Sequence, residues 1–306
     1  LIVLMVLIHT RTYRESSSGQ YLLTLFKLLL IAAFVLTAFA SGSDFSHQVT
    51  GASLLNAGEI LSGPGAIALI YVTYAYSGWN AATYILGELE HPQRDLPRAL
   101  IVGCALVTVL YVLLNTAFLT SASISSMTGE VEIAFIVAET VLGESGAFIV
   151  SLLLSGVLIS TVSAMIMAGP RALQRLGQDY RGLGWLGKTN QGGLPANAIA
   201  FMGLVALGFL WTSTFEQILL FAGLVMAANT FFTVVAVFVS RRRRMGLPNE
   251  TSIFTMPWYP LPALIFLAIT GWTVLYTAIQ YPIQLLVTAA VIALGYPIFQ
   301  RIRSVQ

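Results

Sequence analysis

The stretch PGAIALIYVTYAYSGWNAATYILGELE, Pro64 to Glu90, decides how the rest of the chain is read. From Pro64 to Leu86 it is apolar enough to lie in hydrocarbon, and as a helix it would rise about 34 Å, sufficient to cross a bilayer. Its centre does not fit that description, because Ser77, Gly78 and Asn80 interrupt the apolar run. Glycine lowers the cost of leaving helical dihedrals, and serine and asparagine can satisfy backbone groups that a break sets free. A break at mid-membrane is one reading. The other is a continuous helix whose small residues pack against a neighbour. Tyr74, Tyr76 and Trp79 fit either, as site aromatics or as plain packing.

Working outward, the whole chain shares this apolar character. It has 306 residues, 57% of them hydrophobic and only 9% charged, with a mean hydropathy of +0.83. That excludes an ordinary soluble enzyme. A formal charge of +2 offers no basic field for nucleic acid. The single cysteine, Cys104, cannot form a disulfide within the chain. His9, His47 and His91 are far apart, so the sequence supplies no metal constellation, and no cofactor is expected. GxSxG, HExxH and P-loop patterns are missing too, which argues against an enzyme.

Eight candidate spans follow from hydropathy, at about 21–41, 64–86, 98–120, 146–168, 195–211, 215–240, 259–279 and 282–300. The opening run, Leu1 to Ile8, rises only ~12 Å as a helix and reads as the stump of a further one. It lacks the basic start and cleavage site of a signal peptide, and residues before Leu1 are expected. Fourteen of the fifteen basic residues then fall in every second connection. These are Arg11 and Arg14, Arg94 and Arg98, Arg171 to Lys188, Arg241 to Arg244, and Arg301 with Arg303. The intervening connections, near 42–63, 121–145, 212–214 and 280–281, hold none. The basic set, C-terminus included, is therefore expected on the cytoplasmic side of an integral, multi-pass membrane protein, with lipids as its surroundings. The run Arg241 to Arg244 reads as a solvated stop at the membrane face. Glu88 and Glu90 end their span beside Arg94 and Arg98, where surface pairing is expected.

Lys27, in YLLTLFKLLLIAAF, is the one basic residue left inside a span. An ionised lysine at mid-membrane costs about 3 kcal/mol on the gentlest scale, so it normally faces a cavity, a partner or the bundle interior. Alternatively it snorkels, since it lies only ~9 Å along the helix from Tyr21.

Residues 75 to 100, AYSGWNAATYILGELEHPQRDLPRAL, resemble the sixth helix and following loop of amino acid–polyamine–organocation permeases, especially their L-type amino acid transporter branch. Ile159 to Tyr180, ISTVSAMIMAGPRALQRLGQDY, is similar to the eighth helix. FEQILLFAGLVMAANTFFTVVAVFVSRRRR and PWYPLPALIF look like the tenth and the start of the eleventh. The resemblance covers essentially the whole chain as helices four to twelve. It implies an all-α membrane protein with the inverted-repeat, leucine-transporter-like bundle, lacking the first three helices. Residues 1–306 would form one membrane domain. Within it, 1–41 would be a remnant of the first repeat, 64–240 the second inverted repeat, and 259–300 two accessory helices.

The same resemblance implies secondary amino acid transport by alternating access, sodium-independent and either proton-coupled or exchanging, at the plasma membrane. Substrate would be bound by the break, at Tyr74, Ala75, Ser77, Gly78 and Asn80, with ammonium-facing carbonyls at Tyr74, Ala75 and Ser77, a gating ring at Tyr74, and Asn80 holding the segment or reaching the substrate. Lys27 would occupy the place that sodium takes in relatives, with Ser160, Thr161 and Ser163 as hydroxyl partners. Those hydroxyls could equally bond back to their own helix. A polyamine or organocation substrate is the first alternative, and would call for carboxylates facing the site. A non-transporting regulatory or assembly partner is the second. No accessory subunit is identifiable from the sequence.

Overall fold

The computed structural model describes residues 2–11, 17–41, 58, 61–84, 89–244 and 256–303. The helices are α1 (Ile2–Arg11), α2 (Ser17–Ala40), α3 (Gly63–Ala75), α4 (Ala81–Tyr84), α5 (Pro92–Ser121), α6 (Ile124–Met127), α7 (Ile133–Asp179), α8 (Gly184–Gly187), α9 (Ala196–Thr212), α10 (Phe215–Arg244), α11 (Leu261–Gln280) and α12 (Pro282–Arg303). No strand occurs among the described residues. This is what hydrocarbon demands, since a helix satisfies its own backbone without water. Six of these helices are long and apolar enough to cross a membrane. The other two expected spans are shorter helices, α3 at about 20 Å and α9 at about 26 Å.

Two compact units emerge. One gathers α1, α2, α5 from Val102, α6 to α8, and α9 as far as Val205. The other gathers α3, α4, the start of α5, the rest of α9, and α10 to α12.

In the first unit, α2 lies against α5 through buried Val35, Ala38 and Ala117, flanked by Ile31 and Leu114. Phe34 meets Phe118 edge to face, with ring centroids 5.9 Å apart. At the basic end of α7 the chain turns back through α8, so closely that a Cβ on Gly177 would fall on the backbone nitrogen of Gly187. Asn190 ties this corner to α1. Its Nδ2 donates to the Thr10 carbonyl at 2.8 Å, while its Oδ1 accepts the Gly192 and Leu194 amides at 3.0 Å. Gly177→Ala is therefore expected to destabilise the chain by about 1–3 kcal/mol, the usual range for overpacking, because backbone rather than a flexible side chain must yield. A drop in thermal unfolding temperature in detergent, absent for Gly184→Ala where a Cβ meets nothing within 4 Å, would register it.

In the second unit, α3 is held by α10 and α11. Ile70, Leu220, Leu224 and Ala227 are buried together, with Ile67, Tyr71, Val274 and Tyr281 around them. Gly223 lets α10 approach so closely that a Cβ there would meet Ile70 Cγ2 at 2.6 Å. On α11, Thr270, Thr273 and Thr277 are buried, and the last two hydroxyls donate to the Ile269 and Thr273 carbonyls at 2.8 Å. Lipid is as apolar as these side chains, so dispersion and small-residue fit, rather than exclusion of water, hold the helices together.

Two expectations from the sequence are corrected. The connection at 121–145 is largely helical: α6 occupies Ile124–Met127, and α7 begins at Ile133. Ile133, Ile136, Val137 and Val141 recur at helical spacing, and Val137 and Ala138 are buried. Glu132, Glu139 and Glu144 lower the hydropathy there and hid the pattern. The bend between this segment and the span falls on Gly143, at φ 72° and ψ 177°, a conformation that strongly favours glycine. The second correction concerns the other end. α7 runs on to Asp179, so Arg171 and Arg175 stand on helix rather than loop, and Arg175 pairs with Asp179 at 3.4 Å.

Candidate functional site

The interruption in Pro64–Leu86 begins with a well-made helix. Ser62 caps α3, its hydroxyl accepting the Gly65 amide at 3.4 Å, and Pro64 sits where its missing N–H does no harm. The helix ends after Ala75. Thr73 Oγ1 bonds back to the Leu69 carbonyl at 2.7 Å, Tyr76 leaves helical geometry at φ −84° and ψ 2°, and Gly78 takes φ 100°. Two further hydrogen bonds tighten the turn: Tyr76 N–H to the Val72 carbonyl at 2.9 Å, and Ser77 N–H to the Tyr74 carbonyl at 3.0 Å. Helix resumes at Ala81. There the Asn80 carbonyl accepts both the Thr83 amide, at 2.9 Å, and the Thr83 hydroxyl, at 2.6 Å.

Each expected residue has a place in this turn. Tyr74 and Ala75 close α3, and Tyr74 is 37% exposed. The Tyr74 carbonyl already receives Ser77, so it has one lone pair left for anything else. Among the described residues nothing donates to the Ser77 carbonyl. Gly78 supplies the positive φ, and a Cβ there would meet nothing within 4 Å. Asn80 anchors the second half-helix through its backbone. Residues 85–88, Glu88 among them, lie outside the described residues. Glu90 is not the partner of Arg94: Arg94 Nε donates instead to Asp95 Oδ1 at 2.8 Å, an exposed neighbouring pair of small energetic worth.

The second group lies in the other compact unit and is described by itself. Lys27 reaches from α2 to α7, where its Nζ donates to Thr161 Oγ1 at 3.2 Å. Thr161 Oγ1 in turn donates to the Val157 carbonyl at 2.9 Å. Back-bonding and service to the lysine therefore coexist: one hydroxyl gives its hydrogen to its own helix and offers a lone pair to the ammonium. The Lys27 ammonium is thus directed at α7 in this structure. Ser160 is buried, and its Oγ has no hydrogen-bond partner among the described residues. Ser163 stands two residues beyond Thr161 on α7. What sequence reasoning missed was the selectivity among the three hydroxyls. Only the register of α2 against α7 decides it, and hydropathy does not encode that register.

An all-helical chain with several spans and an interrupted helix defines a class of polytopic membrane proteins built around discontinuous helices. The chain belongs to the amino acid permease family, whose model matches residues 1–297. It is 27% identical to the human b(0,+)-type amino acid transporter 1 over 256 residues, 80% of this chain and 50% of that protein. It is 24% identical to the mouse large neutral amino acids transporter small subunit 2 over 306 residues, 97% of this chain and 56% of that protein. The Lactococcus lactis branched-chain amino acid permease BcaP is 27% identical over 205 residues, covering 66% of this chain and 43% of its own. The chain thus spans about half the length of the curated relatives it matches.

Proposed function

We propose that the chain serves secondary, sodium-independent transport of amino acids by alternating access, with coupling by protons or by exchange. The observation that supports it most is the interruption between Tyr76 and Asn80, with Gly78 at φ 100°, in a helix otherwise made of hydrocarbon. A discontinuous helix offers backbone carbonyls at mid-membrane, where an α-ammonium has no water to hold it. In this reading Tyr74, Ala75 and Ser77 present those carbonyls, Tyr74 closes over the substrate, Gly78 makes the turn, and Asn80 fixes it. Residues 64–240 act as the second inverted repeat, 1–41 belong to the first, and 259–300 are accessory.

Lys27 fits the role of a fixed cation. An ammonium that donates to Thr161 can do for α2 and α7 what a bound sodium ion would do for two helices, drawing their oxygens together. Ser160 and Ser163 complete the polar face of α7 next to it. The alternation of basic and non-basic connections supports a cytoplasmic placement of the basic set and of the C-terminus, in a plasma membrane. The names of the relatives support amino acids as the substrate, and the described spans add no carboxylate at the break that a polyamine would need.

Uptake of labelled leucine into proteoliposomes by the full-length protein tests this reading. Uptake is expected without sodium, competed by excess neutral amino acids and untouched by spermidine. Correctly inserted full-length protein that moves no leucine would refute transport, and competition by spermidine would move the substrate class to polyamines.

A further inference from the structure

At the basic end of α10, Arg241 lays its guanidinium over the Tyr259 ring, 3.9 Å from the centroid. Phe238, one turn back, supports the same ring at 5.5 Å. Stacking occupies the face of the guanidinium and leaves its N–H edge for an acceptor. Among the described residues no carboxylate or carbonyl takes that edge. Arg242 beside it is exposed. Trp258, next to Tyr259, is 85% exposed and stands at φ 55°, rare for a bulky residue. A tryptophan so placed at the head of a spanning helix is the usual occupant of the headgroup level, half apolar and half wet.

We infer that Arg241, Arg242, Trp258 and Tyr259 form a binding site for the phosphodiester headgroup of an anionic phospholipid in the leaflet on the basic side. The reasoning is charge complementarity with geometry added. A run of arginines alone would only attract anionic lipid diffusely. Here one guanidinium is held by an aromatic platform, its donor edge unpaired among the described residues and suited to the two oxygens of a phosphate, and the exposed indole of Trp258 stands next to that platform in sequence. The site is independent of the substrate reading, because no residue of the break or of the Lys27 pair contributes to it.

Native mass spectrometry of the chain, released from vesicles of equal phosphatidylcholine and phosphatidylglycerol, tests the site by the ratio of the two lipids retained. The unaltered chain is expected to keep phosphatidylglycerol in preference. Arg241→Lys, which keeps the charge, and Tyr259→Leu, which leaves charge untouched, should each lower that preference by about fivefold, and Tyr259→Phe should retain it. Lys188→Gln, removing a charge elsewhere on the basic side, should leave it unaltered. Equal effects of Lys188→Gln and Arg241→Gln, or full retention by Arg241→Lys and Tyr259→Leu, would reduce the site to diffuse attraction and overturn the inference. If Tyr259→Leu proves unstable, Arg241→Lys decides alone.

Discussion

Lys27→Ala is expected to abolish leucine uptake while the protein still reaches the membrane in normal amount. The side chain joins α2 to α7 by one charged hydrogen bond, to Thr161 Oγ1 at 3.2 Å. Removing it leaves Thr161 Oγ1 still donating to the Val157 carbonyl, so the loss to folding is confined to this one bond, about 1.5–3 kcal/mol for a bond to a charged group. A cycle that needs a cation at this position loses the cation entirely. Thr161→Val tests the same link from the other side and should slow uptake by about tenfold, since the ammonium keeps its charge but loses one acceptor at a penalty near 1.4 kcal/mol. Lys27→Arg should not rescue, because a planar fork cannot take the place of a compact ammonium that points three donors. Uptake that survives Lys27→Ala with unchanged KM and unchanged sodium independence would make Lys27 a packing residue.

Much of this architecture is legible in the sequence because lipid simplifies the problem. Where no water reaches, a helix is the only solution for a lone segment, and hydropathy with the placement of arginine locates α2, α5, α10, α11 and α12 within a few residues of where they stand. The interruption at Ser77 to Asn80 was legible as composition, glycine and hydroxyls inside hydrocarbon, yet composition left an unbroken helix equally open. The backbone of Gly78 resolves it. Segments with mixed character were hidden: Ile133 to Leu142 is helical by the spacing of its apolar residues, but three glutamates around it suppressed the signal. Least legible were pairings between distant segments. Three hydroxyls on α7 were equivalent candidates for Lys27, and rotation of α2 against α7 selects Thr161. Likewise Arg241 to Arg244 read as a stop at the membrane face, and only the return of the chain to Tyr259 gives one of those arginines a platform.

Gly78→Val is expected to stop uptake with little loss of thermal stability, and the reason is the absence of any neighbour. A Cβ at Gly78 would meet no heavy atom within 4 Å, so the first added carbon has room and the substitution creates no cavity. Its main effect is on the backbone. Residue 78 sits at φ 100°, outside what a β-branched residue tolerates, and even alanine in left-handed geometry costs about 1–2 kcal/mol. The segment from Tyr76 to Asn80 must then relax toward ordinary dihedrals, which swings the Ser77 carbonyl and shifts the Asn80 carbonyl that anchors α4. A carbonyl moved by 1 Å no longer meets an ammonium placed by the rest of the site, and such misplacement is worth about a hundredfold in rate. Gly78→Ala should show the same change in weaker form, mainly as a raised KM. Gly295→Ala in α12 is the control, since that position also has nothing within 4 Å but carries no positive φ; there alanine should be neutral or stabilising by up to about 1 kcal/mol. If Gly78→Val transports with normal KM, the turn is a packing detail, and the peptide groups between Tyr74 and Asn80 do not hold the substrate.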